Sequence, residues 1–331
     1  MNTATDQSFA SLQLGAPQVH RNIVVFPILS PAHATTRWLT LAEALEQQLL
    51  TVTEVSHGGS VPELAVVNRA DRPVLLLDGE ELIGAKQNRV LNTTILLKER
   101  SETVVPVSCT ERGRWAYSSA AFADAKVLMA YKVRSSKLRS VSNSLSASAS
   151  YKSNQGAVWA EIDALHGKIG TTSPTGAMHD AFKARERELD QGMAAFSTVP
   201  GQTGLLVVID DVVAGFDLIP HPEIYARQHA KLVKSYVIDS VAEANPRSAN
   251  PDTAAGIAAE FLRAAAGSPV RKFPSIGYGT DCRYQSPALA GASLVHEDQI
   301  VHAAFFSLTN EASPAADNMA SLRARLRRNV D

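Results

Sequence analysis

Between residues 50 and 108 the chain alternates short apolar runs with polar gaps of a few residues, and this spacing restricts the fold more than any other feature. Residues 50–55, 63–68, 74–78, 87–97 and 103–108 each have the length and composition of a strand. Gly58-Gly59 and Ala70-Asp71-Arg72-Pro73 supply turns between them. A parallel pair needs a crossover of about a dozen residues or more, which these gaps do not contain, so the strands pair antiparallel. Residues 22–29 form an earlier strand whose Pro27 suits an edge or a terminus. Residues 39–50 carry leucines at helical spacing, with Thr40 placed to cap them.

The middle of the chain changes character. Residues 126–152 contain no acid, while Lys126, Lys132, Arg134, Lys137, Arg139 and Lys152 are basic and 140–153 is rich in serine. A loop or weak helix there carries local positive charge. Helices are expected at 159–165, 178–193, 222–241 and 253–266, and hairpins around Asp210-Asp211 and Glu297-Asp298. Residues 318–328 read as a basic amphipathic helix or a frayed end. The predicted class is α+β, with mainly antiparallel sheet in the N-terminal half and helices weighted to the C-terminal half. The predicted organisation is a flexible segment 1–21, a domain 22–310 built as one unit or as two lobes dividing near 130–155, and a tail or helix 311–331.

Composition excludes several functional classes. At 331 residues with 45% hydrophobic and 20% charged, the chain has the make-up of a globular protein. A formal net charge of -1 provides no global field for DNA or an anionic membrane. Six cations in the middle segment, without interleaved aromatics, are a thin basis for RNA binding. No apolar run approaches the ~20 residues that span a bilayer. Residues 1–18 lack the basic head and apolar core of a secretory signal, and two cysteines, Cys109 and Cys282, fit a reducing compartment. The expectation is a cytoplasmic protein without a membrane partner, its oligomeric state open.

Acids, amides and arginines crowd the ends of two apolar runs. Asp78, Glu80 and Glu81 could serve a hard cation such as Mg²⁺, act as general acid or base, or belong to a solvated Asp-Gly hairpin turn. Lys86, Gln87, Asn88 and Arg89 open a strand on which alternate residues share a face, so one pair must approach the interior or a cleft. A buried arginine there needs a carboxylate, with Glu80, Glu81 and Glu111 at hand, or an anionic ligand. Cys109 ends a strand close to Arg112 and Arg114, which could lower its pKa and make it a nucleophile. Burial as an inert thiol is the commoner fate of a free cysteine. A cysteine-phosphatase loop would carry arginine six positions on, where Trp115 stands.

Other signatures are weak. His221 and His229 lie eight apart and no Cys-x-x-Cys or His-Glu-x-x-His occurs, so zinc is disfavoured. His302 alternates with apolar neighbours, which fits a satisfied core residue or an acid–base group. The glycines leading to Arg283 lack the third glycine of a dinucleotide fingerprint, and a strand bulge explains them equally well.

Residues 76–89, 106–115 and 155–159, with 201–204 and the hairpin ending at His302, resemble the family called ADP-ribosylglycohydrolase and rhodanese-phosphatase associated protein. The resemblance covers about residues 22–308. It implies a ligand of nucleotide type that bears phosphate and is linked to ADP-ribose or NAD metabolism, with hydrolysis of a phosphoester or N-glycosidic bond as the candidate reaction. In that reading Glu80, Glu81, Glu111 and Cys109 are the catalytic candidates. Lys86, Gln87, Asn88, Arg89, Arg114, Trp115, Arg283 and His302 are the ligand-binding candidates, the arginines taking phosphate and Trp115 stacking on a base or ribose. The alternative is a non-catalytic sensing or partner-binding module whose charged motif is a structural network.

Overall fold

A computed structural model of the protein describes residues 9–31, 37–56, 61–242, 246 and 248–309. Its central layer is a nine-stranded antiparallel sheet. From one edge it runs Gln13–Leu14, Ile23–Leu29, Gln202–Ile209, Val212–Leu218, Gln299–Ser307, Leu289–His296, Thr280–Gln285 and Val270–Pro274, with Gln18–His20 also paired to Ile23–Leu29. Period-two alternation gives this sheet two apolar faces. Val25, Leu205 and Val207 pack with Leu232 and Val233 of the helix Pro222–Val241 and with Val133 and Leu138 of the helix Tyr131–Ser148. Val24, Phe26, Leu206 and Phe216 pack on the opposite side with Ala254, Ala258 and Phe261 of the helix Pro251–Ala266.

The early strands pair mainly antiparallel, as predicted, but with Glu80–Gly84 and Phe122–Leu128 as strands the sequence did not reveal and with Val74–Leu76 in a separate sheet. A six-stranded sheet runs Phe122–Leu128, Glu80–Gly84, Arg89–Leu91, Ser101–Cys109, Glu63–Asn68 and Leu50–Glu54. Beside it, Ile95–Leu97 pairs antiparallel with Val74–Leu76, and Leu39–Thr40 joins that strand in parallel. One core cluster unites Leu75, Val90 and Leu96 with Val133, Leu138, Val207, Leu232 and Phe306.

Several elements depart from expectation for identifiable reasons. The helix predicted over 39–50 is only Leu41–Glu46, because Thr40 and Glu43 close a capping box at its start and Leu50 already belongs to a strand. The run 87–97 breaks at Asn92-Thr93-Thr94, whose polar side chains are bonded to Tyr151, Asp281 and His302 instead of continuing one strand. The helix over 178–193 breaks at Arg185, where φ is -120°, giving Met178–Ala184 and Glu186–Ala195. The serine-rich middle is an 18-residue helix, Tyr131–Ser148, in which Arg134 and Lys137 are fully buried, so those two cations do not contribute to a surface patch. Within the segment expected to be flexible, Gln13–Leu14 and Gln18–His20 are paired strands, too short to show a pattern in the sequence. Residues 318–328 lie outside the described residues. Among the described residues no helix is long and apolar enough to cross a membrane.

Candidate functional site

The strand Glu80–Gly84 sends its two glutamates to opposite faces. Glu80 faces the helix Pro222–Val241. Lys231 Nζ donates to Glu80 Oε1 at 2.7 Å and to Asp124 Oδ1 at 2.9 Å, and the Leu77 amide donates to Glu80 Oε2 at 2.8 Å. Burial, aided by Asp124 and opposed by Lys231, raises the Glu80 carboxyl above its ordinary value. This acid is sealed. Glu81 is equally buried but turns the other way: Thr110 Oγ1 donates to its Oε1 at 2.7 Å, and its Oε2 lies 3.4 Å from Nδ1 of His179.

His179 sits in the helix Met178–Ala184 with its side chain 18% exposed, and it lines an open cleft of about 410 Å³. Asn88, Glu111, Arg114, Thr175, Asp180 and Lys183 line the same cleft. His179 Nδ1 and Glu81 Oε2 are thus buried neighbours with no hydrogen bond between them. A histidine beside a buried carboxylate at the edge of a ligand-sized hollow is a candidate for general acid–base chemistry. Asp180 accepts from Ser173 Oγ at 2.6 Å, and among the described residues no ion pair engages Lys183, which is exposed.

Glu111 and Arg114 reach the cleft already committed. Arg114 Nε and Nη2 donate to Glu111 at 2.6–3.0 Å, Nη2 also to Asn88 Oδ1 at 3.1 Å, and Nη1 to the carbonyls of Ala85 and Ala116 at 2.7 and 3.0 Å. Glu111 further accepts from the Asn88 amide at 3.1 Å and Thr175 Oγ1 at 2.8 Å. Burial alone would raise its carboxyl, but these donors hold it below the ordinary value. Glu111 is thus a fixed anion rather than a base, and Arg114 is a rivet that ties residues 114–118 to Ala85.

Arg89 and Cys109, directly opposed in neighbouring strands, occupy a separate interior position. Arg89 Nη1 donates to Gln87 Oε1 at 2.9 Å and Cys109 Sγ at 3.1 Å, and Nη2 lies 3.6 Å from the buried Glu54 carboxylate. Arg89 has no exposed surface. Burial pushes the Cys109 thiol up by more than the Arg89 guanidinium pulls it down. Gln155 brackets the Cys109 backbone, accepting from its amide at 2.7 Å and donating to its carbonyl at 2.8 Å. Outside this core, Trp115 and Tyr117 are each 49% exposed, and Lys86 Nζ lies 5.1 and 5.2 Å from their ring centres. Such exposed cation–π contacts are worth about 0.5–1 kcal/mol.

The remaining two sequence candidates lie in a sealed cluster. Arg283 is paired with Asp281 and bonded to Thr93, while His302 bridges Thr94 Oγ1 at 2.7 Å and Asp217 at 3.3 Å. Asp217, held as an anion, can only accept, so the ring proton on Nε2 points to it, and the Asp78 amide donates to Thr94 Oγ1. Arg134 binds Asp217, and Lys137 binds Asp78 and the carbonyls of Leu91 and Asn92. A cavity of about 10 Å³ touches Asp78, Thr94 and His302, room for at most a single water.

The structure therefore divides the sequence candidates. Asn88, Glu111 and Arg114 meet at the cleft, with Glu81 behind His179; Lys86 and Trp115 lie on the segments beside it. Glu80, Gln87, Arg89 and Cys109 are buried among protein partners, and Arg283 and His302 belong to the sealed cluster. His179, Asp180 and Lys183 were not singled out from the sequence. Nothing near His179 marks it, since its partner Glu81 is about a hundred residues earlier. Among the described residues no group of three or more His, Cys, Asp or Glu side chains could hold a metal ion.

An α+β fold with a polar cleft beside its six-stranded sheet defines the class of protein. A family model described as the ARG and Rhodanese-Phosphatase-superfamily-associated Protein domain matches residues 11–306, and the chain belongs to that family. No curated protein and no solved structure matches it.

Proposed function

We propose that the cleft binds a small phosphate-bearing ligand of nucleotide type and that His179, held by Glu81, serves there as general acid–base in a hydrolysis. The observation that carries this reading is the Glu81–His179 pair at the edge of the cleft. Thr110 bonds one oxygen of Glu81; the other is buried without a hydrogen bond, faces the ring at 3.4 Å, and would hold it once the two close on each other. Nε2 can then take a proton from an attacking water and return it to the departing oxygen or nitrogen of a phosphoester or N-glycosidic bond. Lys183 supplies positive charge for the phosphate, while the Thr175, Ser118 and Ser119 hydroxyls already donate to Glu111, Ala85 and Ala121 and so line the cleft without a proton to spare. A family named for its association with ARG and Rhodanese-Phosphatase-superfamily proteins is in keeping with such a ligand.

A second reading, ligand sensing without turnover, is favoured by one observation: Glu111 and Arg114 spend their polar groups on each other and on the backbone. The two are separated by a thermal-shift panel of ADP-ribose, NAD, nucleoside monophosphates and sugar phosphates, followed by product analysis with any stabilising compound. A ligand at a hundred times its Kd adds about 2.7 kcal/mol of stability. Hydrolysis expects His179→Gln to keep that stabilisation and lose turnover by ~10²–10⁴-fold. Stabilisation without product would establish the sensing reading, and a panel without any response would overturn both.

A further inference from the structure

We propose that Trp115 and Tyr117 form a stacking platform on the cleft rim, so that the ligand carries a planar heterocycle at one end and its phosphate at the other; this rests on the cleft being a ligand site. Large exposed aromatic rings are uncommon on a protein surface unless something covers them, and these two stand within three residues of each other. Their exposure does not come from a loose loop. The Arg112 and Gly113 amides donate to the Thr175 carbonyl at 3.0 and 2.7 Å, and the Ser118 amide donates to the Ala85 carbonyl at 2.9 Å. Arg114 ties the middle to the carbonyls of Ala85 and Ala116, and Ser119 Oγ accepts from the Ala85 amide at 2.9 Å. A segment fastened at both ends and in the middle presents its rings already ordered, which removes much of the entropic cost of binding.

Charge selects the occupant. Lys86 Nζ lies 5.1 Å from the Trp115 ring centre and 5.2 Å from that of Tyr117, and the Arg89 guanidinium lies 5.7 Å from Trp115. A cationic guest would meet two positive charges at Trp115, whereas a neutral or anionic heterocycle would meet none of its own sign. Stacking of a base on an aromatic side chain is stronger than an exposed lysine contact with the same ring, so a base displaces the ammonium. Platform and cleft are neighbours by construction: Arg114 and Ser118 line the cleft, and Trp115 and Tyr117 are the residues next to them in the same segment. A ligand with a base and a phosphorylated sugar need cross only the rim. Stacking reads the presence of a π-face more than the identity of the base, so the site should tolerate several bases.

The test is calorimetric titration of ribose 5-phosphate, AMP and ADP-ribose into the wild type, Trp115→Ala, Trp115→Leu and Tyr117→Ala. Trp115→Leu retains apolar cover over Arg89 without a ring, and a thermal melt of each variant verifies folding. The platform predicts that AMP and ADP-ribose bind roughly tenfold or more tightly than ribose 5-phosphate to the wild type. Both Trp115 variants should remove most of that difference while changing the ribose 5-phosphate Kd less than twofold. Equal affinities for the three compounds in the wild type, or a preference untouched in every variant, would overturn the platform and leave the cleft reading standing. Failure of all three to bind would overturn the cleft reading and this inference with it.

Discussion

Replacing Asp217 by asparagine tests how far the sealed charge cluster stabilises the fold. Asp217 is fully buried in the strand Val212–Leu218 and accepts from Arg134 Nη1 and Nη2 at 3.2 and 2.7 Å, from the Tyr236 hydroxyl at 2.7 Å and from His302 Nε2 at 3.3 Å. Asparagine preserves shape but removes the charge and turns one oxygen into a donor facing donors. Breaking a buried pair in this way costs about 3–5 kcal/mol, because the guanidinium stays behind. For a chain longer than 250 residues each kcal/mol is worth about 2 °C, so the melting temperature should fall by roughly 6–10 °C. The pH profile carries a second signature. Burial would raise the Asp217 carboxyl, but Arg134 and His302 hold it well below its ordinary value. A depressed carboxyl stabilises the fold fully above the unfolded pKa of about 3.9 and progressively less as pH falls toward the folded value. The gap between wild type and Asp217→Asn, measured by urea denaturation, should therefore be constant from about pH 5 to 8 and shrink below about pH 4. Asp217→Leu combined with Arg134→Met should recover part of the loss. A cost below about 1 kcal/mol at pH 7, or a gap that persists unchanged into acid, would refute the reasoning.

Three further outcomes are expected. Glu111→Gln leaves Arg114 without its anion and should cost about 1–3 kcal/mol, with trypsin cutting sooner at Arg112 or Arg114; unchanged cleavage would show that the rivet does not order the segment. Burial raises the thiols of Cys109 and Cys282, so at pH 8 the native protein should react with a thiol reagent far more slowly than the unfolded chain, and rapid native labelling of either would contradict their placement. Gly84→Ala places a methyl against Ser119 Oγ at a backbone φ of +120°, and should cost about 1–3 kcal/mol by chemical denaturation; a neutral result would mean that the 118–121 segment can give way.

The sequence was most readable where local physics decides. Asp210-Asp211 and Glu297-Asp298 were recognisable as hairpin turns, and both pairs adopt left-handed backbone, φ 50–61°, as a tight two-residue turn requires. The helix Pro222–Val241 followed from its apolar spacing, and the antiparallel early strands from their short gaps. What stayed hidden depends on partners distant in the chain. Arg134 and Lys137 read as surface cations because Asp217 and Asp78, which neutralise them, lie 83 and 59 residues away. A turn does fall at Asp78-Gly79, with Gly79 at φ +85°, but it is no hairpin: Val74–Leu76 and Glu80–Gly84 belong to different sheets, and Asp78 is buried rather than solvated for the same reason. Arg89 was recognised as needing a carboxylate, with Glu80, Glu81 and Glu111 at hand, or an anionic ligand, but the carboxylate beside it is Glu54, from a strand reached only through two others.

The position of Ile23–Leu29 has a consequence for biosynthesis. Phe26 is paired with Leu206, 180 residues later, so this apolar strand emerges from the ribosome long before its main neighbour exists. At ~5–20 residues per second the delay is about 10–40 s. Over the same interval residues 50–128 already contain every strand of the six-stranded sheet and can associate locally. The nascent chain thus carries a structured early unit beside an Ile-Val-Val-Phe segment paired at most with the short strands before it, the stretch that a holding chaperone would be expected to bind first.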